Sequence, residues 1–256
     1  MKRIITYVLC TFILTYLAHG SLAILTSSDT IEFNSLLGQT LFILGGSSPT
    51  IFAFIFIYRQ KNDEVKEAFI KKLFDYKKPV YLWLFAILIP LFIGGVYQLA
   101  HILFTKGSFN SEMPLYFFFI AIFVSIIFGG LEEVGWRGYL QEQLSSKLSL
   151  LYISIIIGIL WGLWHLPLFF VDEVSHSSFN FIPYMFGAVM FSTYLTWLYA
   201  KSKSILLTVF FHASINASAT IGFRLHFEHH VLVYLVLTVF TVLGLILLLN
   251  LKPKER

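Results

Sequence analysis

Three short clusters place ionisable side chains inside sequence that is otherwise almost wholly apolar. The first is Leu131-Glu132-Glu133-Val134-Gly135-Trp136-Arg137-Gly138, reached through a run rich in Phe and Ile. On a continuous helix Glu133 and Arg137 stand at i,i+4 and pair on one face. Glu132 then points about 100° away, at 3.6 residues per turn, and stays unpaired. That division is chemically useful: one carboxylate is held by the arginine, and the other sits in an apolar setting that suits it to act as a base. The competing reading is that both glutamates are solvated charges at the headgroup level.

The second cluster is Trp161-Gly162-Leu163-Trp164-His165-Leu166-Pro167. Pro167 is expected to kink or end the helix that carries His165. A broken helix at membrane depth is tolerated where it is buried in protein or lines a wet cavity. The third cluster is His212-Ala213-Ser214-Ile215-Asn216, in which His212 and Asn216 share a helix face among small residues that allow close packing. Taken singly, His165 reads equally as a structural histidine, and His212 with Asn216 as an interhelical hydrogen-bonding patch.

Geometry joins the three. A helical hairpin turning near Ser145-Ser146-Lys147 leaves Glu132 14 residues before Ser146 and His165 19 residues after it. At 1.5 Å per residue these lie roughly 21 and 28 Å from the tip, about one turn apart. His212 enters on a helix starting near Ser204. A glutamate, two histidines and an asparagine can therefore meet, in a place expected to be the cytoplasmic half of the bundle. Of the other polar residues, His19 and His101 read as structural. His226, His229 and His230 fall in a short outer loop. Pro49, after Gly45-Gly46-Ser47-Ser48, marks an irregular helix and a packing site.

The elements that position these residues follow from composition. The 256 residues are 57% hydrophobic and 12% charged, about half the charge of a soluble domain. Too few charges remain to coat a water-facing surface, so the chain is expected to be an all-α, polytopic helical bundle in a cell membrane. Runs of about 20 apolar residues span a bilayer. Eight occur, near 4–25, 38–58, 80–103, 114–133, 149–171, 181–200, 205–223 and 231–250. With the N-terminus inside, 16 of the 18 Lys and Arg fall in inner segments, Arg137 among them, and only Lys106 and Arg224 outside. The positive-inside rule then puts both termini in the cytoplasm.

The net charge of +4 belongs to these loops and does not indicate nucleic acid. The first span resembles a signal peptide, but its apolar stretch is long and the charge count works with it retained. Segment 59–79 reads either as an amphipathic cytoplasmic connector lying on the leaflet or as a solvated one. Cys10 is the one cysteine, so no intrachain disulfide is possible. Residues 1–256 read as a single membrane domain.

In order, the clusters supply Glu132-Glu133-x-x-x-Arg137, Trp161-x-x-x-His165 and His212-x-x-x-Asn216. This pattern resembles the signature of the CPBP family, named for CAAX proteases and bacteriocin-processing enzymes and also called the Abi family. The resemblance covers roughly 114–220, the catalytic core helices, with Trp161 where phenylalanine is common. It implies an intramembrane endopeptidase similar to the type II prenyl-protein CAAX endopeptidase, cutting near the cytoplasmic membrane face. The implied substrate is a peptide or protein, lipid-anchored or a peptide precursor. By the same resemblance Glu132 is the general base assisted by His165, His212 and Asn216 stabilise the oxyanion, and Glu133 with Arg137 is a structural pair. A metal-free mechanism is favoured. Zinc is the alternative, held by Glu132, His165 and His212, although His-Glu-x-x-His is absent. Two other readings stay open: a non-proteolytic self-immunity or scaffold protein of the same fold, and a proton-relay transporter, for which no inverted repeat is visible.

Overall fold

The computed structural model describes residues 1–105, 113–223 and 230–251, and these contain helices and no strand. The order is α1 (Lys2–Ser27), α2 (Leu36–Gly46), α3 (Ser48–Tyr58), α4 (Asp63–Leu73) and α5 (Val80–Thr105). Then come α6 (Phe117–Gly130) and α7 (Glu132–Ser145), and α8 (Leu150–Trp164), α9 (Phe181–Ser202), α10 (Ile205–Thr220) and α11 (His230–Leu249). His226 and His229 lie outside the described residues, and His230 opens α11.

Among the described residues, five helices are long and apolar enough to cross a bilayer, or up to seven spans if each bent pair counts as one. The pairs are α2–α3, bent by 54°, and α6–α7, bent by 48°. The remaining expected span is α10, which at 16 residues is about 24 Å long and falls short of the roughly 30 Å hydrocarbon core. It can be short because α5 and α6 pack against it, and Phe211 and Ala213 are fully buried. Along α1 the opposite situation holds: Ile5, Leu9, Ile13 and Leu17 are all exposed. This apolar stripe at helical spacing faces lipid.

Both bends have local causes. Ser47 separates α2 from α3, and Pro49 in the first turn of α3 has no N–H to continue the helix. Pro49 is also a packing point, as expected: a Cβ on Gly135 would come within 2.5 Å of its carbonyl carbon. The break between α6 and α7 falls at Phe128 and Gly129, where Gly129 takes φ +150, a conformation that favours glycine. The sequence reading carried one helix through to Glu133. Instead the second half begins at Glu132 and runs to Ser145, which places the turn before α8 where the hairpin argument put it.

Several buried polar groups are paired between helices, as lipid favours. The Trp164 indole N–H reaches Thr15 Oγ1 at 2.6 Å and Ser48 Oγ at 3.2 Å, tying α8 to α1 and α3. Helix α4 caps one end of the bundle. Asn62 caps its N-terminus by accepting from the Glu64 N–H at 2.9 Å. Its Phe69 is buried in the cluster that includes Ile4, Leu144, Leu150, Ile205 and Leu251. Lys72 Nζ pairs with Glu142 at 2.9 Å, and Ser204 donates to the Asp75 carbonyl at 2.7 Å. Val65, Phe69, Ile70 and Leu73 of this segment are therefore turned onto protein, while Phe74 and Tyr76 are exposed. At the other end Leu22, Ala23, Leu168 and Val171 form a separate cluster with Phe33, Phe42 and Val174.

Candidate active site

The three sequence clusters converge. Glu132, His165, His212 and Asn216 line one cavity of about 730 Å³. Glu132 and Glu133 open α7 immediately after the break. His165 closes α8, just before a tight turn over Leu166–Phe170 with Pro167 in its first turn. His212 and Asn216 lie one turn apart on α10.

The two glutamates have different partners. Glu133 is fully buried, and its Oε1 accepts from His212 Nδ1 at 2.8 Å. Its Oε2 stands 3.4 Å from Arg137 Nε. That contact is Coulombic rather than a hydrogen bond, since neither atom has a hydrogen-bond partner among the described residues. Arg137 is itself fully buried and donates from Nη2 to Ser192 Oγ at 3.1 Å. It is thus an interior cation, and its inclusion among the inner-loop charges was mistaken. Glu132 was expected to be unpaired. It is 8% exposed and its Oε2 accepts from the Trp161 indole N–H at 2.9 Å, so one carboxylate oxygen is engaged and the other remains.

Trp161 organises the site further. Its carbonyl accepts from His165 Nδ1 at 2.8 Å, which requires the proton on Nδ1 and leaves the Nε2 lone pair of a neutral ring available. Its ring meets the His212 ring edge-on, with centroids 5.0 Å apart. On α10, Asn216 Nδ2 donates to the Phe128 carbonyl at 3.4 Å. Any Cβ on Gly129 would collide with that amide and approach His212 Nε2 to 3.3 Å. The glycine at the helix break therefore serves both the turn and the close approach of α10.

Sequence reasoning missed a second row of groups behind His165. His176, from the loop after α8, stacks on His165 at 5.2 Å and 18° and shares a 3.2 Å hydrogen bond with Tyr184 Oη. Burial, with His19 nearby, pushes the His176 pKa down to about 4. His19, read as structural, does bond the Phe42 carbonyl at 2.9 Å, but it also lines the cavity. No periodicity marked His176, because it lies in an irregular loop that only the tertiary fold brings over the cavity.

For a metal, the side-chain orientations are suggestive and the donor set is not. Both site histidines are anchored through Nδ1, an arrangement that suits a metal or a water at Nε2 equally. Among the described residues, however, no three His, Cys, Asp or Glu side chains are grouped closely enough to hold an ion. The set Glu132, His165 and His212 does not fit a three-ligand zinc site.

The cavity lining also includes Phe33, Val174, Ser175, Phe179 and Phe223, from the connections after α1, α8 and α10.

The model of the type II CAAX prenyl endopeptidase Rce1-like family matches residues 113–218, the stretch that carries all three clusters. A CAAX prenyl protease 2 of Methanococcus maripaludis is 32% identical over 229 residues, covering 82% of this chain and 81% of that protein. The chain accordingly belongs to the Rce1-like CAAX prenyl endopeptidase family and is a multi-pass membrane endopeptidase.

Proposed function

We propose that the enzyme hydrolyses a peptide bond with a water activated by Glu132, without a metal. The observation that carries this reading is the split between the two carboxylates: Glu133 is committed to His212 and Arg137, whereas Glu132 lines the cavity with Oε2 bound to Trp161, leaving Oε1 for a water. That oxygen takes the water proton as hydroxide attacks the scissile carbonyl. His165, neutral and fixed through Nδ1, accepts a hydrogen bond from the same water at Nε2. Negative charge develops on the carbonyl oxygen, and donors fixed in advance stabilise it. His212, its Nδ1 held by Glu133 and its ring doubly protonated, donates from Nε2, and Asn216 donates its second amide hydrogen. Collapse of the tetrahedral intermediate breaks the C–N bond, and Glu132 returns its proton to the leaving amine.

The substrate class follows from the walls. Beside the polar floor the cavity is lined by Pro90, Ile93, Phe128, Phe191 and Ile215. Such a wall suits a peptide carrying an apolar anchor next to the scissile bond, and the M. maripaludis relative is by name a prenyl protease. The test compares one peptide with and without a farnesyl group on a cysteine near its C-terminus. Faster cleavage of the farnesylated form by wild type, and none by Glu132→Gln, is the expected result. Equal cleavage of both forms would remove the lipid-anchor reading, and an active Glu132→Gln would remove the base.

A further inference from the structure

We propose that a recess at the junction of α4 and α5 binds the headgroup of an anionic phospholipid. The recess has a volume of about 330 Å³ and is lined by Ile70, Lys71, Phe74, Asp75, Tyr76 and Lys77. It shares no lining residue with the cavity that holds Glu132, and the proposal does not depend on the peptidase chemistry. Charge, position and rigidity carry it.

Five lysines fall between positions 66 and 78. Three of them are matched by a carboxylate: Lys66 by Asp63 at 2.7 Å, Lys72 by Glu142 at 2.9 Å and Lys78 by Asp75 at 2.6 Å. Lys71 and Lys77 are the two that line the recess, and neither forms an ion pair among the described residues. The acid inside the recess, Asp75, is already taken by Lys78. Lys77 Nζ stands 5.9 Å from the centre of the Tyr76 ring, its nearest charge-stabilising neighbour. The recess therefore presents two ammonium groups whose charge the fold leaves uncompensated, and an anion supplies the complement.

Position identifies the anion. Phe74 is 66% exposed and Tyr76 63% exposed. They lead directly into α5, where Val80, Tyr81, Leu84, Leu88 and Phe92 are exposed at helical spacing, on a helix long and apolar enough to span a bilayer. That stripe faces lipid. The recess sits at its head, the level at which hydrocarbon gives way to headgroups and where aromatic and basic side chains gather. A phosphate held between Lys71 and Lys77 would have its acyl chains running past Phe74 and Tyr76 and down the α5 stripe. A free anion would gain nothing from those apolar surfaces. Leaflet contact thus belongs to the end of the segment, since Phe69 and Ile70 of α4 are turned onto protein.

The backbone that presents these groups is fixed before any lipid arrives. The Tyr76 carbonyl accepts from the Trp83 indole N–H at 3.2 Å, which ties the connection to α5. The Asp75 carbonyl accepts from the Ser204 hydroxyl at 2.7 Å, which ties it to the start of α10. Buried Phe69 holds α4 in place. Little ordering remains to oppose binding.

The test is native mass spectrometry of the full chain in detergent, titrated with dioleoylphosphatidylglycerol, dioleoylphosphatidylcholine or inorganic phosphate. Wild type is compared with Lys71→Gln/Lys77→Gln and with Lys61→Gln/Lys66→Gln, which removes the same formal charge from the same segment outside the recess. A third variant, Lys71→Arg/Lys77→Arg, keeps the charge. The expected result is one site on wild type that prefers phosphatidylglycerol to phosphatidylcholine and is not emptied by equimolar inorganic phosphate. Lys71→Gln/Lys77→Gln should lose about tenfold or more in phosphatidylglycerol affinity, while the Lys61/Lys66 and arginine variants bind as wild type does. Equal losses in both glutamine variants would mean diffuse surface charge and would overturn the proposal. So would wild-type affinity in Lys71→Gln/Lys77→Gln, no preference for the anionic lipid, or displacement by inorganic phosphate, which would mark a free-anion site.

Discussion

Removing Arg137 alone should cost far more than removing it together with Glu133. Arg137 and Glu133 are both fully buried and 3.4 Å apart. In Arg137→Met the Glu133 carboxylate keeps only His212 as a partner and stays in a medium that cannot solvate it. Breaking a buried pair by deleting one member costs about 3–5 kcal/mol, whereas replacing the whole pair with neutral groups is often close to neutral. For a chain of this size 1 kcal/mol corresponds to about 2–4 °C, so Arg137→Met should lower the Tm by roughly 10 °C. The double variant Glu133→Gln/Arg137→Met removes both charges, and the carboxamide oxygen it introduces can still accept from His212 Nδ1. Most of the lost Tm should return. The free thiol of Cys10, partly buried in α1, provides the readout: a thiol-reactive fluorophore follows its exposure on heating in detergent. A single variant that melts with the wild type, or a double variant less stable than the single, would refute the argument that the pair is an electrostatic unit supporting His212.

Two further substitutions test how the site is positioned. Gly129→Ala forces a side chain onto φ +150 and against the Asn216 amide. If Asn216 is an oxyanion donor, kcat should fall by about 10²–10³-fold, with substrate binding less affected, as steady-state kinetics would show. Trp161→Phe keeps a ring against His212 and His165 but deletes the N–H that holds Glu132 Oε2. A hydrogen bond to a charged group is worth about 1.5–3 kcal/mol, so kcat/KM should drop roughly tenfold to a hundredfold, with the acid limb of its pH profile displaced. An unchanged rate and profile would leave Trp161 as packing only.

Much of this site is legible in the sequence because its parts are local. Glu133 and Arg137, Trp161 and His165, and His212 and Asn216 each repeat at one helical turn, and intramembrane charge is costly enough to make them stand out. The hairpin geometry of α7 and α8 also follows from rise per residue alone, which is why Glu132 and His165 could be placed together. What escaped depends on contacts between distant segments. The sequence reading carried the helix through Gly129 and Gly130 without a break, and only the approach of Asn216 explains why Gly129 needs φ +150. The Trp161 indole and the Glu132 carboxylate are 29 residues apart, and no pattern within either segment announces their bond. His176 reaches His165 from an irregular connection.

The account turns on Glu132 acting as the base without a bound metal, and one measurement addresses it most directly. Cleavage of a lipidated peptide is followed for wild type and Glu132→Gln, each before and after exhaustive chelation, with metal content determined on the same samples. Wild-type activity that survives chelation, with a loss of roughly 10²–10⁴-fold in Glu132→Gln, is the predicted result. Stoichiometric zinc in the purified wild type, with activity abolished by chelation and restored by zinc, would contradict it.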